Sequence, residues 1–308
     1  MMPVTLARRI VWLTAAVLAT AMAMSPVYAQ ETNGIVVLQS DKGTRHGAAA
    51  QMKGIALSFD SYLQVVDSTH DIAPFDLWEA AQTLDAALGY FPPGTVFVSA
   101  VDDSPLSERQ PVVMLTESGH FIATPDNGTL TLVAENYGVV DVRIIEVTRN
   151  PEPGDQDYYT FTGRDVFVAT AAALAGGIIG FGDVGPSIGG SYVRLELDEP
   201  RISAGTITGF VSLIHYPFGN LWTNIDQETF SSLGASYGDV LTVTISEDDQ
   251  VIYQDSVTYA AAYPDVEPGA PLILLNNVGN MSLALSFANF AETYGVGAGP
   301  QWRITFER

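Results

Sequence analysis

Apolar positions along this chain fall into two regimes. Up to about residue 175, short β-branched blocks alternate with stretches of helical spacing. The block Ile35, Val36, Val37, Leu38 reads as a strand buried on both faces, and it runs into Ser40-Asp41-Lys42-Gly43-Thr44. Residues 48–57 then read as a helix. A second strand covers 62–66 and ends in Asp67, followed by a loop over 69–75. Leu77, Trp78, Ala81, Leu84 and Leu88 repeat at helical spacing until Pro92-Pro93-Gly94 stops them. The block 95–101 is a third strand, ending in Asp102. If these strands are parallel, Asp41, Asp67 and Asp102 line one sheet edge, where ligands bind in open α/β sheets. Blocks 112–115 and 121–123 read as a hairpin about Ser118-Gly119. A turn at Pro125-Asp126-Asn127-Gly128, a helix over 129–136, a strand over 142–147, a polar loop over 150–157 and an alanine-rich helix over 166–175 complete this regime.

Residues 176–190 are dense in glycine and mark the change. Two patterns in them fail on context. Gly180, Gly182 and Gly185 spell GxGxxG, but a helix precedes them where a dinucleotide fingerprint needs a strand. Gly185-Pro186-Ser187-Ile188-Gly189 spells GxSxG, but a strand-like block follows where a nucleophile elbow needs a helix. Beyond this linker the blocks alternate: 192–197, 206–214, 240–245, 251–259, 272–275, 282–286 and 302–306. No long helical stretch interrupts them. The expectation is an α/β N-terminal domain over 30–185, Rossmann-like with a mostly parallel sheet, and an all-β, barrel-like C-terminal domain over 186–308.

Composition narrows the function. Residues 1–29 read as a secretory signal: Arg8 and Arg9, an apolar run over 10–24, and small residues before a cleavage point after Ala29. The expected location is therefore periplasmic or secreted, without a membrane anchor after cleavage. Beyond residue 29 the formal charge is −24, which disfavours nucleic acid as a partner. There is no cysteine, and His46, His70, His120 and His215 stand far apart, so no metal site is expected. His70 and His120 read as loop or surface residues. Asp41 suits a ribose diol, since a carboxylate accepts from both hydroxyls, but it equally suits a capping role.

Ser40-Asp41-Lys42-Gly43-Thr44 with Met52-Lys53-Gly54, the 69–79 loop, Gly94-Thr95-Val96-Phe97-Val98 with Asp102 and Glu108-Arg109, and Pro125-Asp126-Asn127-Gly128 occur in a telling order. They are followed by Thr160-Phe161-Thr162-Gly163-Arg164-Asp165, by Phe218-Gly219-Asn220-Leu221-Trp222-Thr223-Asn224-Ile225, and by the tail over 276–294. Together they resemble the S-adenosyl-L-methionine hydroxide adenosyltransferases, relatives of bacterial fluorinases and chlorinases. The resemblance implies a homotrimer with S-adenosylmethionine held as substrate, and no cofactor, between one subunit's N-terminal domain and its neighbour's C-terminal domain. It implies hydrolysis to adenosine and L-methionine by SN2 attack of water or hydroxide at C5′. By position, Asp41 would hold the ribose, and Phe75 and Phe161 would wall the pocket. Phe218, Asn220 and Trp222 would meet the nucleoside from the neighbour. Asn277 and Phe287 would lie near the methionine and adenine ends.

The leaving thioether is neutral, so this chemistry needs in-line placement and an activated water more than a general acid. Arg109 would hold a hydroxide and Asp102 would orient the water, while the charge of Asp102 disfavours a halide nucleophile. Thr162 stands where hydrolytic members place His, within Thr-Phe-His-Gly-Arg-Asp. The loop beginning Asp103-Ser104-Pro105-Leu106 replaces a glycine-containing stretch, and His46 and His215 stand where relatives often carry acids. A second reading is an exported nucleoside-binding protein on the same scaffold, without catalysis. At the level of residues, Asp102 with Arg109 also fits a structural ion pair, and Phe218 with Trp222 fits core aromatics.

Overall fold

A computed structural model describes residues 31–103, 109–146, 161–196 and 198–308. The signal-like segment 1–29, the loop residues 104–108, the expected strand end at 147 and the polar loop over 150–157 lie outside them.

The first half is a three-layer α/β structure. Strands β1 (Ile35–Ser40), β2 (Gln64–Thr69), β3 (Val96–Ala100), β4 (Pro111–Leu115), β5 (Phe121–Pro125) and β6 (Asp141–Ile144) form one sheet in the order β2-β1-β3-β5-β4-β6. The pairings of β1 with β2, β1 with β3 and β3 with β5 are parallel, and β4 runs against both its neighbours. The tight turn that reverses β4 into β5 is closed by Gly119 N–H donating to Thr116 O at 3.0 Å. Period-two alternation sends Val36 and Leu38 to one face and Val37 to the other. Val36 and Leu38 pack with Met52 and Ala56 of α1 (Ala48–Phe59) and with the alanines of α4 (Ala169–Ala175). Val37 packs with Leu84 and Leu88 of α2 (Leu77–Leu88) and Val133 of α3 (Thr131–Tyr137). Helices on both faces explain why β1 and β3 lack polar alternation.

The second half is a closed barrel. Seven strands succeed one another around it: β8 (Thr206–His215), β9 (Asn220–Asp226), β13 (Asn280–Leu285), β12 (Pro271–Leu275), β11 (Gln250–Tyr259), β10 (Val240–Glu247) and β14 (Gly299–Glu307). The pairing of β14 with β8 closes the ring, and the short β7 (Arg201–Ser203) adds to β8. Its core holds Ile207, Leu221, Ile225, Val243, Ile273, Met281, Ile304 and Phe306. Closure removes the open strand edges that invite aggregation. Gly209 permits the close approach of β9: a Cβ there would lie 2.3 Å from Asn224 Oδ1 and 2.7 Å from Ile225.

One expected strand is absent. Residues 192–196 pair with no strand. Tyr192 is buried against the α/β core, Val193 N–H donates to Asp126 Oδ1 at 2.7 Å, and Leu195 N–H donates to Thr131 Oγ1 at 2.8 Å. The alternation does not mark a buried face: Val193 is exposed, and the segment is anchored by Tyr192 and by its backbone amides. The strand β9, in contrast, went unread as a strand. The two halves meet at Trp78 on α2, whose indole N–H donates to Ser212 O of β8 at 2.6 Å and whose ring meets Phe210 edge-on at 5.2 Å.

Candidate active site

The parallel strands β1 and β3 end side by side, with Ser40 opposite Ala100. Their exit loops therefore bring Asp41 and Asp102 together. Asp41 Oδ2 accepts from the backbone N–H of Asp102 and of Phe75, each at 3.2 Å. The loop carrying Phe75 is held in turn by Asp76, which caps α2 by accepting from Glu79 N–H at 2.9 Å, while Glu79 accepts from Ala73 N–H at 2.8 Å. Asp102 pairs with the Arg109 guanidinium. Phe75, Asp102 and Phe287 all have left-handed backbones, at φ +67°, +48° and +58°. Such conformations in bulky or charged residues cluster at functional sites.

Asp103 was not read from the sequence as a site residue, and it proves to be a second buried acid of this cluster beside Asp41. It is only 6 % exposed. One carboxylate oxygen lies 2.5 Å from Lys42 Nζ, and the other accepts from Gly163 N–H at 2.6 Å. Lys42 also lies 3.0 Å from Asp41 Oδ1. Burial opposes the lysine's charge, but the bonds and charges of Asp103 and Asp41 outweigh it and hold the ammonium pKa above its ordinary value. Gly163 opens a π-helical turn (Gly163–Val168) that continues into α4. Thr162 sits half-buried at its entry, preceded by Phe161, whose ring lies under the Arg164 guanidinium at 5.3 Å. Arg164 itself forms a two-pronged pair with Asp165 at 2.6 and 2.8 Å, a packing role rather than a part in the acid cluster.

A Cβ on Gly163 would come within 2.6 Å of both Ala100 Cβ and Asp103 Oδ2. Gly163→Ala is therefore expected to destabilise the fold by about 1–3 kcal/mol, the usual range for overpacking. A shift of the urea midpoint to lower concentration, with unchanged slope, checks this; an unmoved midpoint would contradict the contact.

Asp67 does not share the edge with Asp41 and Asp102. It lies inside β2, opposite Leu38, and pairs with Lys53 at 2.6 Å and His70 at 3.1 Å. Burial pushes its carboxyl pKa up, but those two partners outweigh burial and hold it below the usual carboxylate range. Two histidines lie in loops, as expected, but not at the surface. His70 is 2 % and His120 4 % exposed, so neither is a surface residue. His70 bridges Ser40 Oγ at 2.7 Å and Asp67 Oδ1 at 3.1 Å. That is the order of a nucleophilic triad, but Ser40 has no exposed surface and no substrate reaches it. The array is an anchor: His70 O accepts from Gly43 N–H at 2.7 Å and pins the loop that carries Asp41 and Lys42. His120 is held by Ser118 and by Phe91 O.

The barrel carries the other candidates. Phe218, Asn220 and Phe287 line one cavity of about 680 Å³ with His215, Tyr263 and Asn289. Asn220 donates to Tyr263 Oη at 2.8 Å, while Phe218 and Phe287 stand well out in solvent. Trp222 lies behind His215, ring centroids 5.1 Å apart, and lines a different cleft of about 600 Å³ with Trp78, Asp85 and Phe210. Asn277 is exposed in the turn between β12 and β13 and lines neither space. Among the described residues, no hydrogen bond or ring contact joins the Asp41–Asp102–Arg109 group to the Phe218–Asn220–Phe287 group within one chain. No cluster of potential metal ligands occurs among the described residues.

Comparison with known proteins fits this two-part surface. The SAM hydroxide adenosyltransferase N-terminal domain model matches residues 36–185, and the corresponding C-terminal domain model matches residues 214–303. A fluorinase of Actinoplanes sp. (strain N902-109) is 28 % identical over 301 residues, covering 89 % of this chain and 98 % of the relative. An (R)-S-adenosyl-L-methionine hydrolase of Methanocaldococcus jannaschii is 29 % identical over 272 residues, covering 85 % and 92 %. The crystal structure of an uncharacterized conserved protein from Thermotoga maritima superposes with a TM-score of 0.80 at 30 % identity, covering 89 % of this chain and all of that one. Both halves of the chain and their order agree with one family, and the protein belongs to the SAM hydroxide adenosyltransferases.

Proposed function

We propose that this protein hydrolyses S-adenosyl-L-methionine to adenosine and L-methionine, by in-line attack of water or hydroxide at C5′. The observation that carries the reading is the Asp102–Arg109 pair, set beside Asp41 at the C-terminal sheet edge. Asp41 takes the ribose diol. Arg109 holds the nucleophilic oxygen and Asp102 orients it, while the carboxylate charge opposes a halide at the same place. Phe75 and Phe161 wall the nucleoside. The solvent-facing Phe218 and Phe287, with Asn220, complete the pocket from a neighbouring subunit, with Trp222 behind them and Asn277 toward the amino-acid end. A trimer built in this way explains why large aromatic side chains stand exposed on the single chain. The protein is exported and acts outside the cytoplasm, with no cofactor or metal and no nucleic-acid partner.

A non-catalytic, nucleoside-binding role on the same scaffold is favoured by one observation. Thr162 cannot titrate near neutral pH, and of the other histidines near the sheet, His70 and His120 are committed to buried hydrogen bonds.

Turnover in water enriched in ¹⁸O separates the reactions. Attack by water places the label in the 5′-hydroxyl of adenosine, and added chloride or fluoride leaves the product unchanged. A 5′-halogenated nucleoside, or adenosine without label, would overturn the reading.

A further inference from the structure

The Asp41 carboxylate is held by backbone amides on one side and by a shared ammonium on the other. Its side chain is 3 % exposed. Oδ2 takes two backbone amides, whereas Oδ1 is shut off from solvent, takes no backbone amide and faces only the Lys42 ammonium. That ammonium, Lys42 Nζ, lies 3.0 Å from Oδ1. The same ammonium lies closer, at 2.5 Å, to Asp103 Oδ1. Asp103 is fixed from its other oxygen by Gly163 N–H, and Gly43 next to Lys42 is fixed by His70 O. One ammonium is thus shared between two buried carboxylates, and it sits nearer the one that is not the ribose acceptor.

We infer that Lys42 is a latch over the diol-binding oxygen of Asp41, and that Asp103 is the second anchor onto which Lys42 withdraws when a ribose diol arrives. The inference rests on Asp41 being the ribose acceptor. In the closed arrangement the ammonium shields Oδ1 and balances two buried carboxylates. A diol hydroxyl donates to Oδ1 and displaces the ammonium, which stays paired because Asp103 is already within reach. A ligand with a single ribose hydroxyl replaces less of what Lys42 gives up. Asp103 is thus a positioning residue: it touches no substrate, and it sets how readily Asp41 is released. It is also what makes a lysine beside the ribose acceptor compatible with binding, since without it the ammonium has Asp41 as its sole carboxylate.

The test is calorimetric titration of the purified protein with adenosine and with 2′-deoxyadenosine. In Asp103→Asn the amide oxygen still accepts from Gly163 N–H, but the second anchor for Lys42 has lost its charge. Adenosine affinity is expected to fall about 10- to 100-fold, the range for one charge-assisted hydrogen bond, and the preference over 2′-deoxyadenosine to shrink with it. Adding Lys42→Met should restore adenosine binding in the double variant, because nothing then competes for Oδ1. Lys42→Met alone should bind at least as tightly as wild type, which keeps the test decisive if the double variant is unstable. If the wild type binds adenosine and Asp103→Asn binds it equally, or if its loss is not rescued by Lys42→Met, the latch is overturned while the ribose role of Asp41 stands. If the wild type does not distinguish adenosine from 2′-deoxyadenosine, the ribose role of Asp41 falls and the latch with it.

Discussion

Thr162→His is expected to raise the rate of adenosine release from S-adenosylmethionine by about 10²- to 10⁴-fold, the usual worth of a placed general base. The backbone at this position is well fixed for the exchange. Thr162 has helical angles, φ −56° and ψ −37°, at the entry to the π-helical turn. The next residue is clamped by Asp103 through the Gly163 amide, and Asp103 directly follows Asp102 in the chain. A half-buried imidazole there starts from a Cα that does not need to move. Its titration near neutral pH supplies what the threonine hydroxyl lacks, a proton acceptor for the attacking water. The measurement is initial rate against substrate concentration for both proteins, with binding followed separately. A gain confined to kcat supports the account. An unchanged rate alongside intact substrate binding would mean that C5′ is not delivered to this corner of the site.

The opposite change concerns Asp102. Asp102→Asn is expected to lower kcat by about 10²- to 10⁴-fold while leaving the melting temperature nearly unchanged. Asparagine is the suitable replacement because it keeps the shape and tolerates the left-handed backbone at φ +48°, where alanine would add strain of its own. The backbone N–H of residue 102 continues to donate to Asp41, so the ribose end is not disturbed. What is lost is the negative charge facing Arg109 and the water. The guanidinium is about a third exposed and remains solvated, which limits the effect on stability. Retained activity with a lowered melting temperature would instead mark the pair as a structural ion pair at a strand end.

The halves of the fold were legible in the sequence for different reasons. β1 and β3 announced themselves as uninterrupted apolar blocks because helices cover both faces, and Ser118-Gly119 marked the turn between β4 and β5. Barrel strands such as β10 and β14 showed plain alternation. β9 was missed because its inward set is Leu221, Thr223 and Ile225, with a buried threonine in the middle and asparagines at 220 and 224. Residues 192–196 misled in the other direction: their apolar positions alternate, but Val193 is exposed and the backbone amides go to Asp126 and Thr131 instead of a strand. At the site, Asp41 and Asp102 were readable as strand-end acids. Asp67 has the same surroundings in sequence, but it sits opposite Leu38, whereas Asp41 follows three residues after Leu38. The importance of Asp103 was hidden because only the left-handed turn at Asp102 decides which of two adjacent acids faces inward. The signal that was available is the pair itself, Asp102-Asp103, together with a lysine directly after Asp41.

The central claim is that the Asp102–Arg109 site turns over S-adenosylmethionine without a histidine at position 162. Its most direct test is a long incubation of the protein from Gln30 onward with S-adenosylmethionine, following adenosine and methionine by chromatography against a heat-inactivated control. The account predicts release of both products in equal amounts, above the control and growing with time. No release above the control, with adenosine or S-adenosylmethionine still binding by calorimetry, would contradict it and leave a nucleoside-binding protein on an adenosyltransferase scaffold.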